Sequence, residues 1–258
     1  MRNRGKLRWW IGTTVCVLGV ALGIALGFWQ LGRAADKAAW HSAMQQQAQA
    51  APLMAAEVQA LLAQGVPVAQ QQLHRPIALQ GQWLAAHTVY LDNRQMQARP
   101  GFFVLTPLQL DTGDVVVVQR GWVPRNFQDR QALPEVPTPQ GPVTVQGKVA
   151  GAPARLLSLG DSEVLDAQAP QIRQNLDLHN FAQATGLPLW PLTVVQTNPA
   201  SDGLLREWPQ VSSGIATHYG YAFQWFAMAA VLAAMLLWFQ CIQPARQARL
   251  QRHVHLSP

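Results

Sequence analysis

The stretch WWIGTTVCVLGVALGIALGFW, Trp9 to Trp29, holds twenty-one residues without one charged side chain. At the helical rise of about 1.5 Å per residue it spans about 30 Å, the thickness of a bilayer's hydrocarbon core. A second uncharged run, YGYAFQWFAMAAVLAAMLLWFQCI, covers Tyr219 to Ile242 and is interrupted only by glutamines and aromatic hydroxyls. Trp9 and Trp10 against Trp29, and Tyr219, Tyr221 and Trp225 against Trp238 and Phe239, sit where interfacial aromatic belts sit. Both runs predict transmembrane helices, at 9–29 and 219–242. The rival for the first is a secretory signal, with Arg2, Arg4, Lys6 and Arg8 as a charged leader and Gly32-Arg33-Ala34 as a weak cleavage site. The apolar run exceeds the roughly 7–15 residues of a signal core, so an uncleaved anchor is expected.

The net charge of +6 invites a nucleic-acid reading, which its distribution removes. Four basic residues lie in 1–8, and Arg246, Arg249 and Arg252 follow the second run. Between these tails stand twelve basic and thirteen acidic residues. Two basic tails flanking two spans are the positive-inside pattern for cytoplasmic termini. The expected layout is a cytoplasmic tail at 1–8, the first span at 9–29, a helical extension and Ala/Gln-rich connector at 30–72, a β-rich periplasmic domain at 73–218, the second span at 219–242 and a second tail at 243–258. The setting is a bacterial inner membrane. Both cysteines, Cys16 and Cys241, fall in the spans, so the central domain has no disulfide, thiol nucleophile or thiolate metal site.

Beyond Trp29 the helical pattern continues through Arg33, Lys37, Trp40, His41 and Met44, with no breaker before Pro52. The first helix is therefore expected to project from the membrane. Physically, Arg33 and Lys37 read as anchors to lipid phosphates, with Asp36 as a local partner, or as a binding face. From Ser42 to Gln72 the Ala/Gln composition suggests two short amphipathic helices or a flexible connector. After Arg75 the period becomes two: RPIALQGQW, TVYLDNRQMQ, GFFVLTPLQL, the turn DTGD, then VVVVQRGWV. An antiparallel sheet or small barrel is expected. A proline-rich loop leads to VTVQGKVAG, Asp177 and Gly186 mark a helix start and stop, and PLTVVQT is the last strand.

GxSxG, HExxH, P-loop and paired-cysteine metal motifs are all missing, so no enzyme is expected and no catalytic residue is assigned. LDNR, Leu91 to Arg94, reads as a turn with Arg94 solvated. QRGWVPR, Gln119 to Arg125, reads as a strand end held by cation–π packing or a glycine-dependent bulge. His253 and His255 read as a solvated tail. His218, just before the second span, shares a helical face with Tyr221, Ala222 and Trp225. That face suits a haem iron ligand with the porphyrin lying against the helix, or simply an interfacial histidine at a helix start.

GFWQLGRAADK at the end of the first run, LDNR, GFFVLTPL, RGWVPR and HYGYAFQWFAMA at the second run, in this order, resemble the surfeit locus protein family of cytochrome c oxidase assembly factors. The Ala/Gln stretch and Arg155 to Gln174 carry no matching motif. The resemblance implies a non-enzymatic helper, a chaperone in respiratory chain biogenesis. It would assist insertion or protection of haem a while the largest subunit of cytochrome c oxidase matures, with the haem a synthesis machinery as a further partner. In the family a WQxxRxxxK pattern recurs at the exit of the first helix. By that resemblance Trp29, Gln30, Arg33 and Lys37 form one face beside His218, where the basic groups pair with haem propionates or with the partner subunit. His218 is the implied iron ligand, and Trp225 lies on its helical face. Family members often carry Leu after this histidine, where this chain has Tyr219. The alternatives are a polysaccharide chain-length regulator, whose exported domain should be mostly long helices, and a scaffold that binds no haem.

Overall fold

The computed structural model describes residues 2–129, 132–156, 169–209 and 213–244, with side chains from Trp9 onward. The C-terminal basic tail from residue 245, including His253 and His255, and residues 157–168 lie outside what is described. The chain forms two compact units, one of residues 1–42 and 211–258 and the other of Ala43–Gln210.

The first unit is a helix pair. Helix α1, Arg2–Gln49, runs unbroken through the uncharged stretch and on through the Arg33–Trp40 stripe, stopping just short of Pro52. Helix α5, Ile215–Leu237, begins one turn before the apolar run and passes into a π-helical turn at Trp238–Ile242. Both are long and apolar enough to cross a membrane. Val15, Leu18, Leu22 and Phe28 on α1 and Phe223, Val231 and Leu237 on α5 are exposed, the surface expected of helices whose solvent is hydrocarbon. These features point to membrane association. Within the pair, Gly19, Gly23 and Gly27 repeat every fourth residue on one face of α1 and let the backbones approach. A Cβ at Gly23 would lie 3.0 Å from Ala229 Cβ and 3.2 Å from the Trp225 carbonyl oxygen, tighter than ordinary contact, so a side chain larger than a methyl there would push the helices apart.

The second unit is built on one eight-stranded sheet. After β1, Leu53–Met54, come α2, Ala55–Gln64, and α3, Val66–Gln70. The strands that follow are β2 Pro76–Trp83, β3 Val89–Met96, β4 Arg99–Leu110, β5 Val115–Pro124, β6 Pro142–Ala150, β7 Gln171–Arg173 and β8 Leu189–Gln196, with helix α4, Leu178–Thr185, between the last two. The order is β1-β2-β6-β8-β5-β4-β3-β7, and a further β2–β4 pairing closes β2, β6, β8, β5 and β4 into a ring. That closure joins Gly81 to Leu110 and Trp83 to Leu108. It needs glycine at 81, where a Cβ would collide with the Gln109 carbonyl oxygen. Strand β4, twelve residues long, pairs with β2 through its last residues and with β3 through its first, so one strand serves the ring and its extension.

A barrel-like sheet is thus present, but it is not purely antiparallel. The β5–β8, β1–β2 and β3–β7 pairs are parallel. The long connections β5–β8 and β3–β7 allow this, whereas hairpins such as β4–β5 force antiparallel pairing. The VVVVQRGW run is buried on both faces. Val116 and Val118 join the ring's core with Leu79, Leu108 and Leu192, while Val117 packs under α4 with Leu178 and Phe181. The connector is ordered and joins that ring core through Leu53, Val58 and Ala69. Among the described residues of this unit no helix exceeds the ten of α2, apart from the end of α1, which removes the long-helix expectation of a chain-length regulator.

Candidate functional site

In the helix pair, Gly23, Gly27, Gln30 and Ala34 form the buried stripe of α1. Gln30 is only 9% exposed, and a carboxamide so placed on an apolar helix demands a partner. Its Oε1 lies 2.7 Å from Nδ1 of His218, in the first turn of α5. With the amide in this orientation the oxygen can only accept, so a neutral imidazole in this contact would hold its proton at Nδ1 and leave the Nε2 lone pair free. Sequence spacing places Gln30 beside Trp29 on α1 but cannot show that it, rather than its neighbours, meets the histidine.

The remaining expected site residues divide. Lys37 lies two turns beyond Gln30 and approaches the start of α5, where a Cβ on Gly214 would stand 3.1 Å from its Nζ. Arg33 is turned outward, its side chain 57% exposed and 4.0 Å from Asp36. Trp29 is exposed on the same flank. Trp225 is half-buried. The structure therefore joins His218, Gln30 and the Lys37 approach, and sets Trp29 and Arg33 on an adjacent flank.

For a haem, the donor chemistry at His218 fits: an imidazole whose second nitrogen is held by an acceptor presents the other as a ligand. The flat supporting surface does not. Ala222 is 2% exposed and the Trp225 carbonyl lies against Gly23, so α1 already covers the stripe on which a macrocycle was expected to rest. Among the described residues no group of three or more His, Cys, Asp or Glu is placed to hold a metal ion.

The motifs of the sheet serve its architecture. LDNR is not a turn with a solvated arginine but a bulge within β3, with Asn93 at φ +58°. Arg94 is 6% exposed, and its Nη2 donates to the carbonyls of Ala154, at 2.8 Å, and Gln174, at 3.1 Å. Burial pulls its guanidinium below the usual arginine range. The hairpin turn lies later, at Gln97 and Ala98, both at positive φ and without the Asn or Gly that would have announced it. RGWVPR does contain the bulge: β4 pairs Val104 with Gly121 and Leu105 with Gln119, leaving Arg120 over. Arg120 stacks on Trp83 at 4.8 Å rather than on Trp122. Its Nη2 donates to Asp202 at 3.1 Å, and Arg206 donates to the same carboxylate oxygen at 2.7 Å. Burial lowers the Arg120 pKa, with Asp202 acting in opposition. Trp122 Nε1 donates to the Arg94 carbonyl at 2.9 Å, tying the two motifs together.

The family model described as "SURF1 family" matches residues 17–230, which include most of each helix of the pair and the whole sheet. A SURF1-like protein of Rickettsia bellii is 22% identical over 228 residues, covering 86% of this chain and 87% of that one. A SURF1-like protein of Rickettsia conorii is 30% identical over 101 residues, 38% of each chain. With most of its length matched, from within the first apolar run into the second, the chain belongs to the SURF1 family.

Proposed function

We propose that this protein is an assembly factor for a haem-copper, cytochrome c type oxidase and assists haem a insertion into, or maturation of, the oxidase's largest subunit. The observation that carries the reading is the pairing of His218 with buried Gln30 at the start of α5, in a chain of this family. Haem a would be held through Nε2 of His218, with Lys37 and Arg33 as partners for its propionates. When bound, the haem supplies only its iron as an electron-pair acceptor. The protein's part is to present the imidazole and then release the haem, and it acts as a helper rather than an enzyme. In this reading α1 and α5 cross a bacterial inner membrane, the termini are cytoplasmic and the sheet unit is periplasmic. The partners are the largest oxidase subunit and the haem a synthesis machinery.

The test is an optical spectrum of detergent-purified protein coexpressed with haem a synthesis, for wild type and His218→Ala. A Soret band in wild type that is lost in the variant is the expected result. Colourless wild type would overturn the haem part of the reading. Unimpaired oxidase assembly in a strain carrying folded Arg33→Glu/Lys37→Glu protein would overturn the role of the basic pair.

A further inference from the structure

We infer that Gln30 is a positioning residue for His218, which fixes the imidazole as its Nδ1–H tautomer and so keeps Nε2 available as the only ring donor. The inference deepens the proposed haem reading and rests on it for its purpose, but the tautomer itself can be tested without haem.

Three observations meet at this contact. Gln30 is on the buried stripe of α1, between Gly27 and Ala34, so its carboxamide cannot turn freely toward water. The 2.7 Å distance to Nδ1 is a full hydrogen bond, formed between residues 188 apart in sequence. The glycine stripe brings the backbones close enough for it, since Gly23 meets Ala229 and Gly27 faces Phe226 on the same side of α1. A histidine tautomer is chosen by the bond its other nitrogen makes. An accepting oxygen at Nδ1 selects the proton there, and an amide reversed by half a turn would instead donate from its own nitrogen and move the ring proton to Nε2. The two amide orientations thus give opposite chemistry: one leaves a ligand nitrogen, the other blocks it.

The experiment uses full-length protein in detergent without haem, labelled with ¹⁵N-histidine, at a pH where the ring is neutral. The His218 signals are identified by their loss in His218→Gln. Wild type should show Nδ1 protonated and Nε2 bare. Gln30→Leu should return the ring to the Nε2–H form that histidine prefers in water, and Gln30→Glu, which restores an acceptor, should recover Nδ1–H. Nε2–H in wild type, or a tautomer unchanged in Gln30→Leu, overturns the inference. Haem a is then titrated into the same samples. Gln30→Leu should bind about 10–100-fold more weakly, the usual cost of losing a group that orients a ligand. Should wild type show the Nδ1–H tautomer yet take up no haem, the haem reading fails and the positioning of His218 by Gln30 stands.

Discussion

His74 shows what a single residue's surroundings do to its chemistry. It sits at φ +73° just before β2, with its backbone N–H donating to the Val149 carbonyl at 2.8 Å. Burial, and then the charge of Lys148, hold its pKa below the ordinary histidine value of 6.5. The folded state therefore binds fewer protons than the unfolded chain between 6.5 and that lower value. The stability that neutral His74 contributes is complete above the unfolded pKa and is lost as pH falls through this window. Urea midpoints measured from pH 7.5 to 5 should fall less steeply in His74→Asn than in wild type, because asparagine tolerates the left-handed backbone and does not titrate there. Identical slopes would show that other groups govern the acid limb. Arg94 and Arg120 carry a different lesson. Their motifs are visible in sequence, yet a solvated arginine and a buried one look alike until the Ala154, Gln174 and Asp202 partners are known. Those partners are between 60 and 82 residues away.

At the scale of elements, α1 is one helix with two kinds of environment along its length. Its outward residues are exposed apolar groups, while its inward stripe is glycine, glutamine and alanine. The pair with α5 depends on close backbone approach, because side chains of similar polarity to lipid gain little by leaving it. Gly23→Leu should therefore lower the thermal unfolding midpoint of the detergent-solubilised protein and weaken the Gln30–His218 contact. Gly12→Leu, where a Cβ meets nothing within 4 Å, is the matched control and should leave both unchanged. Equal effects from the two would mean that helix propensity, not packing, was at work. Helix α4 was readable from its ends alone. Asp177 caps it by accepting from the Asn180 backbone N–H at 3.0 Å, and Gly186 closes it at φ +68°. These are local rules, satisfied within a few residues.

For the whole molecule, the sheet unit has a core of its own that the connector helps to complete. Residues 43–210 produced alone should fold as a β-rich domain by far-ultraviolet circular dichroism. Residues 73–210 should be less stable by at least about 3 kcal/mol in urea, since deleting Leu53 and Val58 uncovers the ring's core and each such side chain is worth about 1.5–3 kcal/mol. Equal midpoints for the two fragments would make the connector a bystander. Taken alone, the sequence determined two apolar helices near its ends, a period-two region between them, the caps of α4 and the family motifs in order, because each depends on composition or spacing within one segment. Only the tertiary structure decided that β2 and β4 close a ring, that β5–β8 and β3–β7 run parallel, that Arg94 and Arg120 are buried, and that Gln30 is the residue against His218. Each of these depends on which distant segments meet, and a one-dimensional pattern of polarity does not encode a strand's neighbour or a side chain's partner 188 residues away.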